Sequence, residues 1–158
     1  MPTRKAQDLP KNGKILCLDV GEKTLGLAVS DALRTIASPR ATHRRAKWGQ
    51  DKQYLAALIA AEAITCAVVG LPLMMDGTQG ASADRSLNFA KLVEDELHLP
   101  VLLWDERLST AAAERSLFEQ RTGRQTRAGK KEIKQHVDSV AAALILQNVL
   151  DALKHHTA

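Results

Sequence analysis

At 158 residues the chain is long enough for one domain with a full core, and 45% hydrophobic with 25% charged residues is ordinary for a globular protein. Aromatic residues make up only 3%, which argues against nucleic-acid contact built on base stacking, while a formal net charge of +4 favours a polyanionic partner. No apolar run is long enough to span a bilayer and the N-terminus lacks a signal-peptide pattern, so no membrane and a cytoplasmic location are expected.

Residues 1–13 are polar, with Pro2, Pro10 and Gly13, and read as a flexible N-terminal arm. Residues 14–31, KILCLDVGEKTLGLAVSD, hold a short apolar run ending in Asp19, a turn, and a second strand folding back on the first. A carboxylate at the end of a central strand either caps the turn through backbone N–H groups or receives a cation. Gly26 inside the second strand marks a place where a ligand or another backbone comes close. Thr35 to Ser38 suit a third strand, and Pro39 puts it at an edge.

The basic run HRRAK at 43–47 reads as a solvated loop or a phosphate contact. Tyr54, Leu55, Leu58 and Ile59 recur at helical spacing over 50–63. Residues 66–69 form an apolar strand followed by Gly70, and the intervening helix makes this strand a parallel partner of the first. The glycine-bearing loop at 71–82 enters a helix over 83–97, with Leu87, Ala90, Leu92 and Val93 as the buried face and Ser82 as a candidate cap. Cys17 and Cys66 sit inside apolar runs and read as small core residues.

Residues 100–104 form the next strand, ending in Asp105, Glu106 and Arg107. Successive strand side chains face opposite ways, so only one of the two acids can share a face with Asp19. Ser109 or Thr110 then caps a helix reaching Phe118. Residues 121–131, RTGRQTRAGKK, carry five basic residues and no acid, and read as a flexible segment suited to phosphate. The last helix spans 132–154 with a continuous apolar stripe, Asp138 beside it, and 155–158 as a tail.

Asp19, Glu106 and Asp138 thus come from three separate elements. Ligands of open α/β sheets gather at the carboxyl ends of strands, and hard oxygen donors suit magnesium. Carboxylates placed together repel unless a cation is shared.

Four motifs in order, LDVGEKTLGLAVSD at 18–31, VVGLPLMMDGTQG at 68–80, DERLST at 105–110 and VDSVAAALILQNVL at 137–150, resemble the YqgF family of ribonuclease H-like proteins. The resemblance implies an α/β, ribonuclease H-like fold: a central five-stranded mixed sheet, an antiparallel meander then parallel strands, with helices on both faces, as a single nuclease domain over 14–154. It assigns metal binding and catalysis to Asp19, Glu106 and Asp138, with Asp105 a doubtful neighbour, and Mg2+ or Mn2+ as cofactor. It also lays the basic segment over the substrate. Lys23, Arg107, Arg124, Arg127, Lys130 and Lys131 are the candidate phosphate contacts.

The expected activity is a metal-dependent endonuclease on structured nucleic acid, acting on the 5′ end of precursor 16S rRNA during ribosome biogenesis. Holliday junction resolution in DNA repair is the alternative, and a non-catalytic factor of ribosome assembly or transcription is a second. A nucleotide-binding protein of actin-like ancestry is disfavoured, since nothing in the chain supplies its second phosphate-binding half. Precursor rRNA is the favoured partner, with branched DNA second and ribosomal particles beside them. A monomer or weak homodimer is expected; a resolvase would need two active sites.

Overall fold

The computed structural model describes residues 2–73, 80–106 and 127–156, with side chains in the last span described from 139 to 154. Strand β1 (Lys14–Val20) turns into β2 (Thr24–Ser30), and the two pair antiparallel with Leu18 opposite Leu27 and Asp19 opposite Gly26. The turn is closed by the Gly21 N–H donating to the Thr24 carbonyl at 2.9 Å.

The outer edge of β2 is covered in two pieces. β3 (Ala37–Pro39) pairs with Ala28, Val29 and Ser30, and β4 (His43–Arg44) pairs with Leu25 and Thr24. Between them the Arg40 N–H donates to the Leu27 carbonyl at 2.7 Å. Pro39 lies in this edge strand, as its missing N–H requires. The basic run at 43–47, read as a loop or a phosphate contact, is in part the continuation of that edge. Charged side chains are tolerated there because one side of an edge strand meets water.

Helix α1 (Trp48–Glu62) ends at Ala63 in the left-handed region (φ 54°) and leads into β5 (Ile64–Leu71). β5 runs parallel to β1, with Cys17 opposite Val68 and Leu18 opposite Val69. Helix α2 (Ala81–Leu97) follows, then β6 (Val101–Asp105), parallel to β5 with Gly70 opposite Trp104 and Leu71 opposite Asp105. Gly80, not Ser82, occupies the N-cap of α2, and no side chain caps it. The last helix, α3 (Arg127–His156), begins inside the basic segment instead of after it, so Arg127, Lys130 and Lys131 are helical. The helix expected over 109–118 lies outside the described residues.

The main path of the sheet is β3-β2-β1-β5-β6, with β4 beside β3 on β2. Both faces are covered, which is why β1 and β5 read as unbroken apolar runs. Leu16, Leu18, Leu25, Leu27 and Val69 pack against Leu55 of α1 and Phe89, Ala90 and Val93 of α2. Ile15, Cys17, Ala28, Val68 and Leu102 pack against Ala142, Ile145, Leu146, Val149 and Leu150 of α3. Each large side chain so buried stabilises the fold by roughly 1.5–3 kcal/mol before entropy is counted.

The polar segment before β1, expected as a loose arm, runs along the outer edge of β6. The Thr3 N–H donates to the Val101 carbonyl at 2.9 Å, and the Leu103 N–H donates to the Thr3 carbonyl at 2.7 Å. Leu9 is buried in the α3 core. Composition gives no sign of this docking, because backbone groups make most of it. Among the described residues no helix is long and apolar enough to cross a membrane.

Candidate active site

Strand alternation decides which acids meet. On β1, Ile15 and Cys17 face α3, so Asp19 faces the same side. On β5, Cys66 and Val68 face α3, and Gly70 follows them; on β6, Leu102 and Trp104 do the same. Asp105 therefore turns to the opposite face, shared with Val101 and Leu103, the side covered by α1 and α2. Asp105 is set apart from Asp19 by one step of the pleat.

Glu106 lies just past β6, and its carboxylate folds back over Gly70. A Cβ added to Gly70 would stand 2.9 Å from Glu106 Oε1, 3.4 Å from its carboxyl carbon and 3.2 Å from Ile145 Cδ1 of α3. The glycine is the floor of a cradle that any side chain would fill. It lies on β5, the strand between those that carry Asp19 and Glu106, so its missing side chain opens the space between them. Both acids are partly exposed.

The buried thiol of Cys17 registers the pair. Burial pushes the Cys17 pKa well up, and the negative charges of Asp19 and then Glu106 push it further. Two carboxylates from different strands thus project their charge onto one point beneath the cradle.

Asp138 belongs to α3, and its side chain lies outside the described residues. Its neighbour Ser139 is fully buried. Ser139 Oγ accepts from the Leu27 N–H at 3.2 Å and lies 2.8 Å from Thr42 Oγ1. Leu27 adjoins Gly26, the partner of Asp19, so the serine fastens this turn of α3 to the sheet beside the carboxylate end of β1. Among the described residues no three His, Cys, Asp or Glu side chains gather closely enough to hold an ion, which leaves Asp19 and Glu106 as a described pair.

Of the other sequence candidates, only Lys23 has its side chain among the described residues. Lys23 is exposed in the β1–β2 turn. Arg107 and Arg124 lie outside the described residues, and Arg127, Lys130 and Lys131 occupy the start of α3 with side chains likewise outside them. Two features were not picked out from sequence. Gly70 was legible only as the residue after a strand, and Ser139 looked like one polar position on a helix.

A family model described as RuvX, Holliday junction resolvase, matches residues 13–152. A protein of Paracoccus denitrificans named "Putative pre-16S rRNA nuclease" is 45% identical over 149 residues, spanning 94% of this chain and 90% of its own. An Agrobacterium fabrum protein of the same name is 43% identical over 148 residues, 94% of this chain and 89% of its own. Among solved structures, Thermus thermophilus RuvC in complex with a Holliday junction substrate superposes with a TM-score of 0.53 at 11% identity, covering 90% of this chain and 96% of that one. The fowlpox virus Holliday junction resolvase superposes at 0.52 and 14% identity, covering 89% and 99%. At such low identity these two establish the fold, a mixed sheet with helices of the resolvase-like ribonuclease H type.

Proposed function

The chain belongs to the RuvX family, also called YqgF, and from that premise we propose that it is a metal-dependent endonuclease that matures the 5′ end of precursor 16S rRNA. The observation that carries the reading is that Glu106 lies over Gly70 on the sheet face that Asp19 shares, both acids acting on Cys17, in a chain close to proteins named for that activity.

The donor set fits a hard divalent cation. Asp19 and Glu106 offer carboxylate oxygens, Gly70 adds no side chain beside them, and Asp138, carried by α3, is the candidate third acid. When bound, Mg2+ or Mn2+ supplies Lewis-acid polarisation of the phosphodiester and eases deprotonation of the attacking water. The chain's own residues do the rest. Asp19, in a paired strand, and Glu106, folded over Gly70, would present their oxygens from the sheet with little reorganisation left for the reaction. Ile145 and the α3 core shut water out beneath the pair. Lys23, Arg107, Arg124, Arg127, Lys130 and Lys131 hold the phosphate backbone, whose charge dominates nucleic-acid affinity.

The family's description as Holliday junction resolvases supports four-way DNA as the second substrate. Cleavage of a labelled precursor-rRNA end is compared with that of a four-way DNA junction, in magnesium, manganese and chelator, for wild type and Asp19→Asn. Metal-dependent cutting of the RNA, lost in the variant, is the expected result. Cutting of the junction alone would replace the substrate, and binding without cutting under any metal would replace the enzyme by a binding factor.

A further inference from the structure

We propose that Arg44 is a phosphate-binding residue of this nuclease site, taking the backbone of the RNA substrate beyond the β2 edge, an inference that rests on the nuclease reading. The HRRAK run divides by strand alternation. His43 turns toward α1, where its Nε2 lies 2.8 Å from Asp51 Oδ1 and its ring stacks on Tyr54 with centroids 4.2 Å apart. Arg45 turns the same way: its Nη1 donates to the Gly21 carbonyl at 2.8 Å and its guanidinium carbon lies 5.2 Å from the centre of the Phe89 ring. Both side chains are thereby committed to holding β4 and the hairpin turn against the α1–α2 face.

Arg44 lies between them and faces the other way. It pairs with Thr24, and Thr24, Gly26 and Ala28 alternate onto the α3 face, where Ala28 is in the core. That is the face of Asp19, whose own partner is Gly26. Strand spacing of about 4.8 Å and a rise of about 3.3 Å per residue set the Arg44 Cα roughly 12 Å from that of Asp19. An arginine side chain from there can meet a phosphate a short way along the strand from the one at the carboxylates. Arg44 is exposed, and among the described residues its side chain makes no hydrogen bond or ion pair. Exposed Lys23 and Lys47 flank it, and Glu22, in the turn beside Lys23, is the nearest exposed acid in sequence. A planar guanidinium binds phosphate in a bidentate manner, which a lysine does not reproduce.

The test separates binding from cleavage. In the Asp19→Asn background, affinity for a labelled RNA spanning the precursor 16S 5′ end is measured against salt for Arg44, Arg44→Gln and Arg44→Lys. Arg44→Gln is expected to weaken binding about 5- to 10-fold near physiological salt and to reduce the slope of log K against log salt by about 0.7–0.9, with unchanged Tm. Arg44→Lys should restore the slope but only part of the affinity. Arg45→Gln, by contrast, should lower Tm and leave the slope intact. An unchanged slope in Arg44→Gln, with wild type still cutting the RNA, would overturn the assignment and leave the nuclease standing. If wild type neither binds nor cuts the RNA, the RNA-nuclease reading falls and Arg44 as an RNA contact with it.

Discussion

The two ends of β1 treat charge in opposite ways. At the N-terminal end, Arg34 donates to the Gly13 and Asn12 carbonyls at 2.9 and 3.0 Å, and Asp31 accepts from the N–H groups of Thr35 and Ile36 at 2.7 and 3.0 Å and from the Thr35 hydroxyl at 2.6 Å. These bonds, led by the one from the Ile36 N–H, draw the Asp31 pKa down to about 2. At the C-terminal end, Asp19 and Glu106 are gathered where their like charges add, and the thiol beneath them is driven up. At the N-terminal end each charge is supplied with local donors. At the C-terminal end two acids of like charge lie on one face of the sheet, with Glu106 over Gly70. On the proposed reading, substitutions at the two ends should separate stability from function.

The largest effect is expected from Asp19→Asn or Glu106→Gln. Each should reduce cleavage by about 10³-fold or more while leaving Tm unchanged or slightly raised, since a like-charge neighbour is removed. A large fall in Tm would mean that the acids serve the fold. Gly70→Ala comes next. The new Cβ displaces the flexible end of Glu106, so kcat should drop about 10- to 100-fold, as for a carboxylate moved by about 1 Å, at a stability cost below about 1 kcal/mol. Equal loss of activity and stability would show that the glycine is needed only for packing.

Gly13→Ala probes the other end. Gly13 has φ of +92°, and an added Cβ would collide with Thr65 Cγ2, beside the hydroxyl that donates to the Asn12 carbonyl. Denaturant unfolding should show a loss of about 1–3 kcal/mol with kcat retained below the new Tm. The smallest effect is that of Asp31. Its pKa in the folded chain lies below the usual 3.8, so its contribution is present above about pH 4 and is lost as pH falls toward about 2. The Tm difference between wild type and Asp31→Asn should shrink over that interval, and a difference independent of pH would remove the hydrogen-bonded carboxylate as its cause.

Much of the fold was legible because burial on both faces leaves a strong mark. The apolar runs at 15–18 and 66–69 are the central strands, and the periodic stripe from Val137 to Val149 falls on the helix that covers one face. The errors fell where backbone chemistry outweighs side-chain pattern. His43 and Arg44 carry no strand signature, yet they finish an edge that β3 leaves half covered. Residues 3–9 look like a loose arm, but Thr3 satisfies backbone groups on the β6 edge. Nothing in the side chains records an unpaired N–H waiting elsewhere in the sheet.

Sequence by itself determined the order of the main strands and of the helices that follow β4 and β5, the family, and which acids were worth considering, since these follow from local periodicity and from motifs contiguous in the chain. Only the tertiary structure showed that Glu106 lies over Gly70 while Asp105 turns to the other face, and that in a run of basic residues Arg44 turns away from the α1–α2 face while His43 and Arg45 support the hairpin. Each of those outcomes depends on pleat parity and register across strands far apart in sequence. A shift of one residue in either would have reversed the result.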